Sequence, residues 1–230
     1  RGNHVRIINC LIHDTFYGHG IQAFPGAQGQ VFYGNILYRT GRSSIKPDED
    51  EKHAIQAFNA FETDGTKYIV GNLVIGYDDI CEQCRGFSGH SNPDDDEWDT
   101  EKASGYHLED NIFDNSHVVV GGYGPPSHDN IIRNNFFGES ELQLGWAAPT
   151  QAEVTGNWIA WKYLDARYIW AQGDAAYGNP PKATIITNNH VLHAPRDGDI
   201  ARNDDLPLID VGTAQYVEAA DKGKMGARPK

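Results

Sequence analysis

The sequence has few cysteines, one methionine, a shortage of basic residues and no long apolar run. Three cysteines, Cys10, Cys81 and Cys84, cannot all pair within one chain, which excludes a disulfide framework. The 19 basic against 32 acidic residues give a formal net charge of −13. Such a charge disfavours nucleic acid and anionic membranes as partners. Without an apolar run of about 18 residues, no membrane span is expected.

What the sequence does have is a short repeated segment with an asparagine near its centre. The Asn residues follow one another at intervals of 22 to 39 residues, and the longer intervals indicate inserted loops. The seven copies of the segment are Val5–Ile12 with Asn9, Val31–Leu37 with Asn35, Tyr68–Val74 with Asn72, Tyr106–Phe113 with Asn111, Asn130–Phe137 with Asn135, Glu153–Ile159 with Asn157 and Thr184–Val191 with Asn189.

A second short segment recurs between copies of the first. The tetrapeptide Ile21–Phe24 is repeated letter for letter as Ile55–Phe58. Weaker relatives of it are Val118–Gly121, Leu142–Gly145, Tyr168–Ala171 and Leu208–Val211. Each repeat unit therefore contains at least two short strands separated by polar or glycine-rich turns.

Together these segments predict an all-β fold, a right-handed parallel β-helix of about seven coils. Alternation turns one set of side chains inward, and stacked coils bury them as continuous ladders. Asn tolerates left-handed backbone angles, and its amide can bond to backbone or to the Asn one coil away. An irregular β-sandwich is the structural alternative, but it does not explain an Asn at the same phase of seven strands.

The repeat also sets the expected domain organisation. The β-helix is predicted over residues 1–212, with inserted loops at 40–53 and 77–104, and a C-terminal tail over 213–230. The chain opens directly into a strand-like stretch at Val5, with no residues that could cap a solenoid. We therefore expect the sequence to be a fragment of a longer chain.

Four stretches resemble right-handed parallel β-helix proteins of the pectate-lyase-like superfamily, in particular uncharacterised bacterial members. They are Asn35–Tyr38, His53–Gln56, Gly65–Lys67 and Gly71–Val74. The resemblance covers about residues 3 to 192 and is specific for the fold rather than for the chemistry. It implies a secreted protein, extracellular or at the cell surface with the periplasm as an alternative, that binds or degrades polysaccharide.

The known catalytic patterns of that superfamily are mostly missing. Gly18–Gly20 and Asp78-Asp79 match two of four polygalacturonase motifs, but their order is reversed and the other two motifs are absent. The arginine-rich signature of pectate lyases is missing as well. The sequence therefore leaves open whether the protein is an enzyme, either a polysaccharide lyase or a glycoside hydrolase.

Two histidines are the best catalytic candidates in the sequence. His19 and His53 each lie two residues before the identical strands, so in adjacent coils they would stack about 5 Å apart. Gln22 and Gln56 would stack likewise and could bind a sugar, and Asp14 could orient the adjacent His13 near the same corner as part of the catalytic group. The alternative is a purely structural stack at a turn.

An acidic loop suggests a second site. Carboxylates at Asp94, Asp95, Asp96 and Asp99 could bind Ca²⁺, although the spacing is not that of an EF-hand. Trp98 in the same loop and Trp146 further on could stack on sugar rings. A solvated acidic loop and core-filling aromatics are the alternatives.

Two functional hypotheses follow. The first is a carbohydrate-binding or polysaccharide-degrading module. The second is a non-catalytic structural or adhesive solenoid that contacts other chains or domains of a larger surface protein or assembly.

Overall fold

The computed structural model of the chain describes residues 3–15, 18–24, 28–40, 53–57, 65–76, 85–89, 104–121, 127–138, 140, 142–144, 150–161, 169–171, 185–193 and 209–210. Within these ranges the regular structure consists of β-strands, and no helix among them could cross a bilayer.

The strands form three parallel sheets of seven, here named A, B and C, and each coil contributes one strand to each sheet. Sheet A contains β1 (Arg6–Ile8), β4 (Val31–Tyr33), β7 (Lys67–Val70), β10 (Tyr106–Glu109), β13 (Ser127–Arg133), β16 (Thr150–Thr155) and β19 (Ile185–Thr187). Sheet B contains β2 (Leu11–His13), β5 (Ile36–Tyr38), β8 (Leu73–Ile75), β11 (Ile112–Asp114), β14 (Phe136–Gly138), β17 (Trp158–Trp161) and β20 (His190–His193). Sheet C contains β3 (Ile21–Ala23), β6 (His53–Ala57), β9 (Arg85–Gly89), β12 (Val118–Val120), β15 (Leu142–Leu144), β18 (Ile169–Ala171) and β21 (Ile209–Asp210).

This topology is a parallel β-helix, as the repeats predicted. Strand order in sheet A is β1-β4-β7-β10-β13-β16-β19, and sheet B follows the same coil order. Each strand therefore pairs with the equivalent strand of the next coil. The predicted number of coils is confirmed by the seven strands of each sheet.

The core is built from inward-facing aliphatic and aromatic ladders. In sheet A the register places Phe32, Ile69, Leu108, Ile132 and Val154 in one column, and each is at most 1% exposed. In sheet B the stacked rings of Phe113 and Phe137 have centroids 5.6 Å apart. Full burial of side chains of this size contributes about 1.5–3 kcal/mol each, so the ladders supply the main driving force for stacking.

The corner between sheets A and B has two residues in every coil. The first has a positive φ, and only Asn, Asp or Gly occupies that position, because larger side chains are strained there. The second is the recurring Asn from the second coil onwards. In the first coil the prediction is wrong by one position, because Asn9 does not occupy the place of the recurring Asn. Asn9 aligns with Gly34 at φ 53, and Cys10 takes the place beside Asn35.

The recurring asparagines form a continuous internal ladder. Asn72 Oδ1 accepts hydrogen bonds from the backbone N and the Nδ2 of Asn35, both at 3.0 Å. Asn72 Nδ2 donates to the carbonyl of Phe32 at 2.9 Å and to Asn111 Oδ1 at 2.9 Å. Equivalent bonds join Asn111, Asn135, Asn157 and Asn189. The ladder thus satisfies backbone groups that the tight corner buries.

The connections on both sides of sheet C vary in length, so insertions do not fall at one corner only. Between sheets B and C they range from three residues, 115–117, to fifteen, 194–208. The predicted loop 40–53 is one of these connections, up to the start of β6. The predicted loop 77–104 is not a loop throughout, because it contains β9, which pairs with β6 and β12.

The outer faces of the sheets differ in exposure. In sheet C, Gln56, Ser88, Val119 and Gln143 alternate with core residues and still are at most 7% exposed. In sheets A and B, outward-facing side chains such as Tyr33 and Leu11 are 49% and 62% exposed. Solvent therefore reaches the outer faces of sheets A and B over the described strands.

Candidate functional site

The predicted histidine and glutamine pairs do lie side by side in adjacent coils. The rings of His19 and His53 stack with centroids 5.2 Å apart and planes 26° apart. Gln22 Nε2 donates a hydrogen bond to Gln56 Oε1 at 2.7 Å. Both pairs follow from the register of β3 against β6.

The hydrogen bonds of this pair give the histidines a structural task. The backbone N of His53 donates to His19 Nδ1 at 3.0 Å, and the backbone N of Arg85 donates to His53 Nδ1 at 3.1 Å. An accepting Nδ1 places the ring proton on Nε2 in the neutral tautomer. His53 is 1% and Gln56 7% exposed, so neither offers much surface to a polymer. A catalytic role for His19 and His53 stays a prediction.

Asp14 lies at the end of β2, in a separate exposed cluster. Its carboxylate accepts a hydrogen bond from His13 Nδ1 at 2.9 Å and pairs with Arg39 at 2.8 Å. The hydrogen bond from His13 is the largest cause of the lowered pKa of Asp14, and Arg39 adds to it. An ionised carboxylate that bonds to His13 can orient that ring, which is the contact the sequence predicted. A catalytic role for Asp14 stays a prediction.

The remaining predicted site residues, Trp98, Trp146, Asp94, Asp95, Asp96 and Asp99, lie outside the described residues, as do Cys81 and Cys84. Within the described ranges no group of three or more His, Cys, Asp and Glu residues could hold a metal ion. The calcium site therefore stays a prediction.

A cavity of about 340 Å³ opens on the outer face of sheet A. It spans three neighbouring strands of sheet A, β10, β13 and β16, and its lining residues lie at 107, 129–131 and 151–153. The residues that line it are His107, Asp129, Glu153, Gln151, Ile131, Ala152 and Asn130. Asn130 is 2% exposed and its side chain bonds to Tyr106 N, Ser127 Oγ and Gln151 O, so it supports the wall from inside. We call this the sheet A cavity.

His107 is held between an aromatic ring and a carboxylate at this wall. The edge of the Tyr68 ring meets the His107 ring, with centroids 5.2 Å apart and planes 77° apart. Glu109 Oε1 lies 3.5 Å from His107 Nδ1, which is longer than a good hydrogen bond but close enough for electrostatic attraction. His107 thus lies between its register partner Tyr68 and Glu109, which is two residues further along the same strand.

Arg133 holds the other oxygen of that carboxylate. Its Nε and Nη2 lie 2.9 Å and 2.7 Å from Glu109 Oε2. Charge-assisted hydrogen bonds of this length are about twice as strong as neutral ones. Three side chains, Arg133, Glu109 and His107, therefore form one connected polar group beside the cavity.

Burial makes His107 a neutral imidazole near pH 7. Desolvation lowers the pKa of His107 below its usual value, and Arg133 acts in the same direction, while Glu109 and Asp129 oppose them. A neutral imidazole can both donate and accept a hydrogen bond. His107 can therefore donate a hydrogen bond to a hydroxyl group, accept one from it, or take up a proton.

The strand is irregular at the cavity. The pairing of β13 with β16 shifts register between Ser127 and Asn130, and Asp129 in this bulge has a φ of 58. Bulges commonly redirect side chains next to functional sites. The side chain of Asp129 is 80% exposed, and its Oδ2 lies 2.6 Å from Nδ1 of His128. The bulge thus places a solvent-accessible carboxylate at the rim.

Sequence reasoning missed this site. His107, Glu109 and Arg133 lie in copies of the repeat that were interpreted as structural. The available signal was that His107 and Glu109 occupy the alternate positions of the strand, whose side chains face outward. The contact between Glu109 and Arg133 follows only from the pairing of β10 with β13.

Comparisons with known proteins give no relative for this chain. Scans against protein-family models, curated proteins and solved structures each returned no significant match. The parallel β-helix is therefore established by the three stacked sheets, and membership of the pectate-lyase-like superfamily stays a hypothesis from the sequence.

Proposed function

We propose that this chain is a secreted carbohydrate-binding solenoid that contacts polysaccharide along the outer face of sheet A. One observation carries the proposal: the sheet A cavity, with its mixed polar wall, lies beside the exposed ring of Tyr68. The resemblance to the pectate-lyase-like superfamily points in the same direction, although a fold by itself is weak ground for function.

The chemistry of the wall suits a sugar. A saccharide offers hydroxyl groups that need donors and acceptors, and apolar C–H faces that pack on aromatic rings. His107 and Gln151 supply polar groups in the cavity, and few polar groups placed in a cavity are typical of ligand sites. Tyr68 is 39% exposed, and Tyr33, one coil earlier on the same outer face but two residues further along its strand, is 49% exposed.

Tyr68 can be tested against a matched control. Tyr38 has the same exposure of 39% but lies on sheet B, where Arg39 stacks on its ring at 4.6 Å. In titration calorimetry against a panel of oligosaccharides, Tyr68→Ala should weaken binding about tenfold, the effect of an aromatic contact of about 1–1.5 kcal/mol. Tyr38→Ala should bind like the wild type. Equal loss in both variants, or no binding by the wild type, contradicts the proposal.

The same panel separates a binder from an enzyme. Release of reducing or unsaturated ends, measured with and without Ca²⁺, would identify a hydrolase or a lyase. If turnover is found, a His19→Ala, His53→Ala double variant tests the predicted catalytic pair, and folding of that variant must be checked because both rings cap backbone groups.

A second candidate function, a structural or adhesive solenoid, is favoured by the outer face of sheet B. Leu11, Ile36 and Ile112 stand in one column of that face and are 62%, 42% and 44% exposed. Aligned exposed aliphatic side chains are typical of contact surfaces between proteins. The predicted partners are other chains or domains of a larger assembly, and a second copy of the chain is the one that can be tested with this protein alone.

A further inference from the structure

We propose that the sheet A cavity selects saccharides without carboxylate or sulfate groups and rejects uronates. The inference rests on the proposed function and names the substrate class of the same site.

The fixed charges around the cavity sum to a negative value. Asp129 and Glu153 are both lining residues and both exposed to solvent. The nearby charges of Glu109 and Arg133 offset each other, because Nε and Nη2 of the guanidinium both lie within 3 Å of Glu109 Oε2. Two carboxylates therefore remain to act on a ligand in the cavity, those of Glu153 and of Asp129, whose Oδ2 is hydrogen-bonded to His128 Nδ1.

His107 does not offset these charges. Its imidazole stays neutral near pH 7 because it is partly withdrawn from water, with 21% of the side chain exposed. Gln151, a lining residue, is an uncharged donor and acceptor. The wall thus combines hydrogen-bonding groups suited to hydroxyls with a field that opposes an anion.

The size of this opposition can be estimated. A ligand carboxylate within about 6 Å of one fixed carboxylate, at an effective dielectric constant near 20 to 80, is disfavoured by about threefold to one-hundredfold in affinity. Two such groups are sufficient to separate a uronate from the corresponding neutral sugar. The discrimination should also weaken with added salt, since exposed charges are screened.

The experiment compares two matched ligands on the full chain. Binding of oligogalacturonates and of the same oligosaccharides with every carboxylate methyl-esterified, and therefore uncharged, is measured by calorimetry at pH 7, in the wild type and in Glu153→Gln, Asp129→Asn and the double variant. Asp114→Asn on sheet B is the control, because it removes an exposed carboxylate of a strand that does not line the cavity.

The wild type should bind the neutral ligand at least about tenfold more tightly than the uronate, and the double variant should reduce that ratio about tenfold. Asp114→Asn should leave the ratio unchanged. Equal binding of both ligands by the wild type, or a ratio that the double variant does not alter, overturns this inference but leaves the proposed function standing. Binding of neither ligand overturns both.

Discussion

The corner between sheets A and B is the same in every coil, whereas the connections on either side of sheet C change from coil to coil. The corner between sheets A and B always has two residues. The first has a left-handed backbone conformation, and the second is a buried Asn from the second coil on. The connections from sheet B to sheet C range from three to fifteen residues. One side of the solenoid is thus constrained by an internal hydrogen-bond ladder, and the other tolerates insertion.

The invariant corner stabilises the stack of coils, whereas the variable connections can carry residues that differ from one coil to the next. In the constrained corner every coil depends on the next, since each Asn caps a backbone group of its neighbour. The variable side delivers different side chains to each coil, among them His19, His53 and His117 before sheet C. The sheet A cavity lies where strands begin after the variable connections, which is where a stable scaffold can carry an individual site.

The largest effect on stability is expected in the Asn ladder, where buried Asn135 is a member and its exposed neighbour Asn134 is not. Asn135 is fully buried, accepts from Asn111 N and Nδ2, and donates to the carbonyl of Leu108. Asn135→Ala leaves several of these groups buried and unsatisfied, so the free energy of unfolding should fall by about 3–5 kcal/mol.

The control is the preceding residue. Asn134 is exposed with a φ of 56, a conformation that glycine adopts without strain. Asn134→Gly should change the free energy of unfolding by less than about 0.5 kcal/mol. Urea unfolding of both variants checks the comparison, and similar losses in both would show that the ladder is not what constrains this corner.

The variable side should respond to pH where the ladder does not. Burial lowers the pKa of His117 to about 4, with Arg85 acting in the same direction. The unfolded chain therefore takes up this proton more readily than the folded one. The stability contributed by the neutral ring is present above about pH 6.5 and is lost as the pH falls towards 4, by up to about 3 kcal/mol.

Urea unfolding between pH 7 and pH 4 measures this loss. His117→Gln should show a shallower fall in stability than the wild type over that interval. Asn134→Gly, on the other corner, should keep the wild-type dependence. An unchanged slope in His117→Gln would mean that other groups determine the acid response.

The smallest effect is expected on the outer face of sheet B. If that face contacts a second copy of the chain, Ile36→Lys with Ile112→Lys should weaken self-association in sedimentation velocity by about 1 kcal/mol for each side chain. Ile8→Lys is the control, because Ile8 has a similar exposure of 43% but lies on sheet A. A monomeric wild type, or equal effects of both changes, would exclude self-association through this face.

Much of the fold was predictable because its key contacts repeat with the sequence. Asn35, Asn72 and Asn111 are found in one column, as their common phase indicated. Strand β9 was missed, because Arg85–Gly89 does not resemble Ile21–Phe24 and its core position is filled by Phe87 alone among large side chains. The cavity was missed because its residues come from three coils.

The sequence alone determined that coils stack, that about seven of them do so, and that asparagines line one corner, because these properties depend on patterns that recur at the same phase within each coil. Only the tertiary structure decided which outward residues meet. Whether Glu109 lies against Arg133, and whether Asp129 and Glu153 share a cavity, depends on strand register and on a bulge, and neither leaves a periodic signal in the chain.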